Sequence, residues 1–292
     1  IIPNLAIHMN RQANDGYKYN AQVDMLPLFS EKGDQANAFA CLIASAAGVS
    51  EDDILDTDLY LYNRMPASTL GVNGEFIASG RLDDLQCAFA SLKGFLGAEP
   101  EDSVAVHCVF DNEEVGSGTK QGAAGTFLAD TLHRISRAMR KTEEEYLMSI
   151  ASSFMVSADN AHAVHPNHTD KADPTNRPYL NKGIVIKYSA DQKYTSDAVS
   201  GAIMRAICET AGVPYQTFTN RSDIQGGSTL GNILQRQVSL NSVDIGLAQL
   251  AMHSPYETAG AKDTAYLIKA AKVLFSSSIE ETGAGNYRLK LH

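Results

Sequence analysis

Beyond residue 80 the chain alternates short apolar runs with longer amphipathic ones; before it the pattern is broken by polar stretches. Residues 104–110 are apolar except for His107 and read as a strand, as do residues 153–156, 184–188 and 243–247. Helical spacing appears between them. In residues 122–139 Ala124, Phe127, Leu128, Leu132 and Ile135 fall on one face, which predicts a helix. Residues 198–211 predict a second, stopped by Gly212 and Pro214, and residues 261–275 a third. Such alternation implies an α/β fold: a mixed, mainly parallel sheet flanked by helices.

The first 75 residues are organised differently. They predict a strand at 5–9, a polar stretch at 14–20, an Ala-rich helix at 35–47, an acidic segment at 51–58 and a strand at 59–62. We therefore read residues 1–75 as a smaller, β-rich domain and 76–292 as the larger one, with the boundary near the loop at 72–74. Ile1 is not a translation start, so part of the polypeptide is expected to precede it.

Composition narrows the function. A chain of 292 residues with 44% apolar and 20% charged residues can bury a real core. No window approaches 18 consecutive apolar residues and no basic segment precedes the apolar start, so neither a transmembrane helix nor a signal peptide is expected. The formal charge of -10 disfavours nucleic acid as a partner. Four widely spaced cysteines without a CxxC pair read as reduced, mostly buried thiols, and so as a cytoplasmic chain with no membrane partner.

Candidate chemistry clusters where predicted strands and helices end. Asp83 opens a helix, Glu113 and Glu114 follow the strand at 104–110, Asp159 follows the strand at 153–156, and His253 follows the strand at 243–247. Loops beyond the carboxyl ends of strands converge on one crevice in open α/β sheets. Carboxylates with imidazole are a normal ligand set for zinc and similar ions. Adjacent Glu113 and Glu114 would repel each other on desolvation unless one binds a cation while the other takes a proton from an activated water. Each residue alone also fits an ordinary role: a first-turn Asp, a solvated loop, a helix cap, a core histidine.

The motifs Arg81-Leu82-Asp83-Asp84-Leu85, Asp111-Asn112-Glu113-Glu114-Val115-Gly116-Ser117 and Ser157-Ala158-Asp159-Asn160-Ala161-His162 resemble those of the aspartyl aminopeptidase family of two-metal metallopeptidases. So do the segments around Lys187, at 220–231 and at 244–254, in the same order. The resemblance implies a zinc-exopeptidase-like fold and removal of N-terminal Asp or Glu from peptides. It implies that Asp83 bridges two divalent ions (zinc, with cobalt or manganese as alternatives). Glu114 and His253 would complete the first site, Asp159 would bind the second ion, and Glu113 would be the general base. Lys187 would receive the substrate's acidic side chain. His8 would reach a neighbouring subunit's site, and His162 and His165 would support Asp159 and the substrate without being ligands. The glycine-rich segment at 226–231 lacks the lysine and spacing of a phosphate loop and is expected to line the pocket with backbone amides. Family resemblance also implies that residues 1–75 mediate dimerisation within a large homo-oligomer. It places a further metal-ligand histidine in a His-x-Asp motif upstream of this chain. The competing reading is a non-catalytic assembly or cargo-binding relative lacking that histidine; retention of the other ligands and the base favours the enzyme.

Overall fold

The structure, a computed structural model, describes residues 2–3, 5–12, 14–31 and 37–292. The chain divides into two compact units, Ile1–Leu61 and Tyr62–His292. In the first, α1 spans Ala38–Ala47 and ends at Gly48, whose left-handed backbone (φ 71°) lets the chain turn back on carbonyls of the last turn. Residues 35 and 36 of the expected helix lie outside the described residues. The acidic segment opens with a 3-10 turn, Glu51–Asp53, where Asp53 accepts from the Ser50 N–H and hydroxyl. The two expected strands are corrected: residues 7–9 form a turn, with the Met9 N–H bonded to Ala6 O, and residues 59–61 are irregular. Residues 1–75, expected to be β-rich, hold one strand among their described residues, at 68–70, and the unit Ile1–Leu61 holds none. Apolar alternation specifies a strand only when a pleated neighbour is there to pair with it.

The second unit is built around a mixed eight-stranded sheet with path β1-β2-β8-β7-β5-β6, and β3 and β4 also pair with β7. The strands are β1 (Ser68–Leu70), β2 (Phe76–Ser79), β3 (Phe154–Ala158), β4 (Ala161–His162), β5 (Ile184–Lys187), β6 (Tyr215–Phe218), β7 (Asn241–Leu250) and β8 (Glu257–Gly260). β7 is the hub. It pairs with β3 in parallel and β5 antiparallel along its first part, then with β4 in parallel and β8 antiparallel along its second. β5 explains its own sequence. Buried on both faces, it is a continuous apolar run, with Ile184 and Ile186 in one core and Val185 in the other. By the same alternation Lys187 follows the face of Val185.

Helices α2 (Leu82–Leu96), α5 (Ala198–Ala211) and α7 (Asp263–Ser276) cover the first core through Cys87, Ala90, Met204, Ile207, Leu267 and Ala270. α5 matches its predicted span because its ends are encoded locally: Asp197 accepts from the Ser200 N–H (2.7 Å), and Gly212 (φ 61°) ends it. α2 and α7 touch at Gly94, where a Cβ would come within 2.4 Å of the Ala271 Cβ. On the other side α3 (Phe127–Ala138), shorter than the predicted 122–139, and α6 (Leu230–Leu234) pack through Leu128 and Leu234. α4 (Glu143–Ala151) precedes β3, and the hairpin of β9 (Ser278–Gly283) and β10 (Asn286–Lys290) follows α7. Residues 104–110, expected as a strand, are not in a ladder. Cys108 and Phe110 reach the core beside Leu128, but Val104, Val106 and Val109 stay exposed.

Candidate metal centre

Asp83 and Asp84 stand where the chain enters α2. Arg81 is left-handed (φ 61°), and Asp83 (φ -82°, ψ 114°) and Asp84 have not yet taken helical angles. Asp159 comes directly after β3, its N–H bonded to Ile245 O of β7 (3.1 Å). That approach needs Gly246, because a Cβ there would lie 2.1 Å from Asp159 O. His253 ends the turn after β7, again left-handed (φ 65°). Glu113 and Glu114 sit in a loop closed by Gly116 N–H on Glu113 O (2.8 Å) and Ser117 N–H on Asn112 O (2.9 Å).

These elements converge on one cavity of about 260 Å³, lined by Asp83, Glu113, Glu114, Asp159, Lys187 and His253 among others. His253 Nε2 lies 3.2 Å from Asp83 Oδ2 and 3.0 Å from Glu114 Oε2. Asp83 also joins Asp84 and Asp159. In each trio the candidate ligand atoms lie within 4.8 Å of one another, and Asp83 is common to both.

So much negative charge needs a counterion. Two carboxylates 4 Å apart repel by about 4 kcal/mol at an effective dielectric of about 20. Without a cation the cluster holds protons instead: burial, then Asp159 and Glu114, push Asp83 from 3.8 up to about 8. Burial and Asp159 also push Asp84 well above the carboxylate range. Asp84 Oδ1 is buried without a hydrogen-bond partner. An orphaned carboxylate oxygen among acceptors, with an imidazole opposite, fits divalent cations such as zinc. Burial, then Asp159 and Glu114, raise the Glu113 pKa above the ordinary glutamate value.

Lys187 is only 2% exposed. Its ammonium donates to Asn160 O (2.7 Å), lies 3.5 Å from Asp159 Oδ2 and stands 5.5 Å from the Tyr194 ring centre. Burial works against its charge, but Asp159, Tyr194 and Asp244 outweigh it and hold its pKa above the ordinary lysine value. Gly227, Ser228 and Thr229 line the cavity, as expected of the glycine-rich segment. Buried Asp244 fixes that loop by accepting from the Thr229 hydroxyl (2.6 Å) and the Thr195 N–H (2.6 Å).

Not every expected residue is brought in. His165 is exposed and outside the cavity lining; its Nδ1 accepts from the Asn167 N–H (3.1 Å). His162 does line the cavity. His8 belongs to the first unit, in the exposed turn at 7–9. Sequence reasoning passed over Asp84, Asn160 and Glu257. The signals were present: an acid beside the bridging candidate, an amide beside Asp159, and an acid opening β8.

The profile of the family described as Aminopeptidase I zinc metalloprotease (M18) matches residues 1–275. A "Probable M18 family aminopeptidase 2" of Clostridium acetobutylicum is 46% identical over 279 residues, covering 94% of this chain and 64% of that protein. Among solved structures, the cryo-EM structure of the Ape4 and Nbr1 complex superposes with a TM-score of 0.84 at 32% identity, over 94% of this chain and 57% of that one. The S. cerevisiae mApe1 dodecamer superposes with a TM-score of 0.71 at 28% identity, over 80% and 53%. The chain thus spans less than two-thirds of the length of each of these proteins.

Proposed function

This chain belongs to the aminopeptidase I zinc metalloprotease family (M18), and from that premise we propose that it serves a metal-dependent aminopeptidase acting on peptides with an N-terminal Asp or Glu. The observation that carries the reading is the pair of donor trios sharing Asp83. Asp83, Glu114 and His253 would hold one divalent ion, and Asp83, Asp84 and Asp159 a second, zinc in the first instance with cobalt or manganese as alternatives. Ions so held supply Lewis-acid polarisation of a scissile carbonyl and activation of a water. Glu113 takes the proton of the attacking water and returns it to the leaving amine; its raised pKa supports that role. Asn160 O and Asp159 orient Lys187 at the cavity wall, where its ammonium pairs with an acidic first side chain.

Further roles belong to the same proposal. The first unit mediates dimerisation within a large homo-oligomer, a reading supported by the dodecameric relative. His8 acts in a neighbouring subunit's site, whereas His165, outside the cavity lining, takes no part in this proposal. The chain resides in the cytoplasm, a reading supported by four free cysteines and by the lack, among the described residues, of a helix long and apolar enough to cross a membrane. The deciding experiment combines metal stoichiometry with hydrolysis of chromogenic Asp, Glu and Leu substrates. Bound divalent ions with faster turnover of Asp and Glu are expected. Metal binding without hydrolysis would overturn the activity, and equal rates on all three would overturn the acidic preference. With activity in hand, Lys187→Ala should penalise acidic substrates more than neutral ones.

A further inference from the structure

Glu257, the first residue of β8, is a buried acid to which the chemistry above gives no task. We infer that it is a positioning residue, fixing the two ligand-bearing turns at Asp83 and His253 so that their side chains meet on one ion. The inference rests on the metal-centre reading above.

The sheet order makes this possible. β8 lies between β2 and β7, and Glu257 pairs with Ser79, the last residue of β2. The chain leaves β2 for the Asp83 turn and leaves β7 for the His253 turn, so the start of β8 sits between the two departures. The carboxylate reaches both. Its Oε2 accepts the Asp83 N–H (3.0 Å) and its Oε1 accepts the His253 N–H (2.8 Å). Gln249 Nε2 donates to the same Oε1 (3.4 Å) and, through its own Oε1, accepts from Asn160 (2.7 Å), whose carbonyl holds Lys187.

Neither turn is held by regular structure: Arg81 and His253 are left-handed, and Asp83 is non-helical. Such conformations persist only where the surroundings fix them. Glu257 is 2% exposed, and among the described residues no lysine or arginine forms an ion pair with it. Its carboxyl group is thus buried beside Asp83, with both oxygens engaged by backbone donors. Only a carboxylate offers two oxygens that both accept; a glutamine would turn its NH2 toward one of the two N–H groups.

The test is a cobalt(II) titration of the chain, followed by visible absorption and metal content. The parent is compared with Glu257→Gln, Glu257→Asp, His253→Ala and the Glu257→Gln, His253→Ala pair. Glu257→Gln should weaken one of the two cobalt sites about tenfold or more, and should add little to the loss already caused by His253→Ala. Should Glu257→Gln fail to fold, Glu257→Asp, too short to reach both turns, is expected to show the same selective loss. Parent-like binding in the folded variant would overturn the inference and leave the metal centre standing, as would a full extra loss in the His253→Ala background. A parent chain that binds no cobalt would overturn both.

Discussion

The two trios that share Asp83 are built differently. The Asp84 and Asp159 half is closed: the Asp83 and Asp159 side chains are 5% and 14% exposed, and buried Lys187 and Asn160 stand behind them. The Glu114 and His253 half is open, with side chains 52% and 63% exposed, and Glu114 rides on a loop. A closed half suits holding charge, and an open half leaves a position for substrate and water.

Glu113 lines the cavity beside the open half. Glu113→Gln should cut turnover by a factor between about 10² and 10⁴ while metal content stays at the parental level; parental turnover would remove the base from that position. In the closed half, Lys187→Ala leaves Asp159 buried without its cation. Denaturant unfolding of the metal-free protein should show a loss of about 3 kcal/mol, and a loss no larger than for an exposed lysine would mean the closed half is not held by that pair.

The charge at the junction can be read through pH. Asp83 is raised from 3.8 to about 8 in the folded chain, so the folded state binds its proton more tightly than the unfolded one. That contribution is present in full below 3.8 and is lost as pH rises through about 8. The melting temperature of the metal-free chain should therefore fall across this window, and saturating zinc should flatten the fall. The same slope with and without zinc would detach Asp83 from the metal.

The smallest effect belongs to the open half. Ser117 is left-handed (φ 59°) with a buried, unpartnered hydroxyl. Ser117→Gly relieves both and should stabilise the loop by about 1 kcal/mol. A clear loss would mean that the hydroxyl has a partner in the working protein.

Legibility in the sequence followed the physics. α5 was readable to the residue because Asp197, Ser200 and Gly212 encode its ends through bonds to near neighbours. β5 was readable because burial on both faces leaves a continuous apolar run. Residues 104–110 have the same apolar character yet form no ladder, because pairing depends on a neighbour that local pattern does not specify. The ligand candidates were legible as acids and a histidine at element ends, and the family resemblance supplied their roles.

By itself, then, the sequence determined which residue types stand at the ends of strands and helices, and where chain-local signals start and stop those elements. Tertiary structure alone decided that Asp83 lies within reach of both His253 and Asp159, that Asp84 turns inward, and that Glu257 sits between two turns far apart along the chain. The reason is geometric. Side-chain type and short-range spacing are properties of neighbours in sequence, whereas the distance between ligands depends on the order of β2, β8 and β7 across the sheet, and no single segment contains that order.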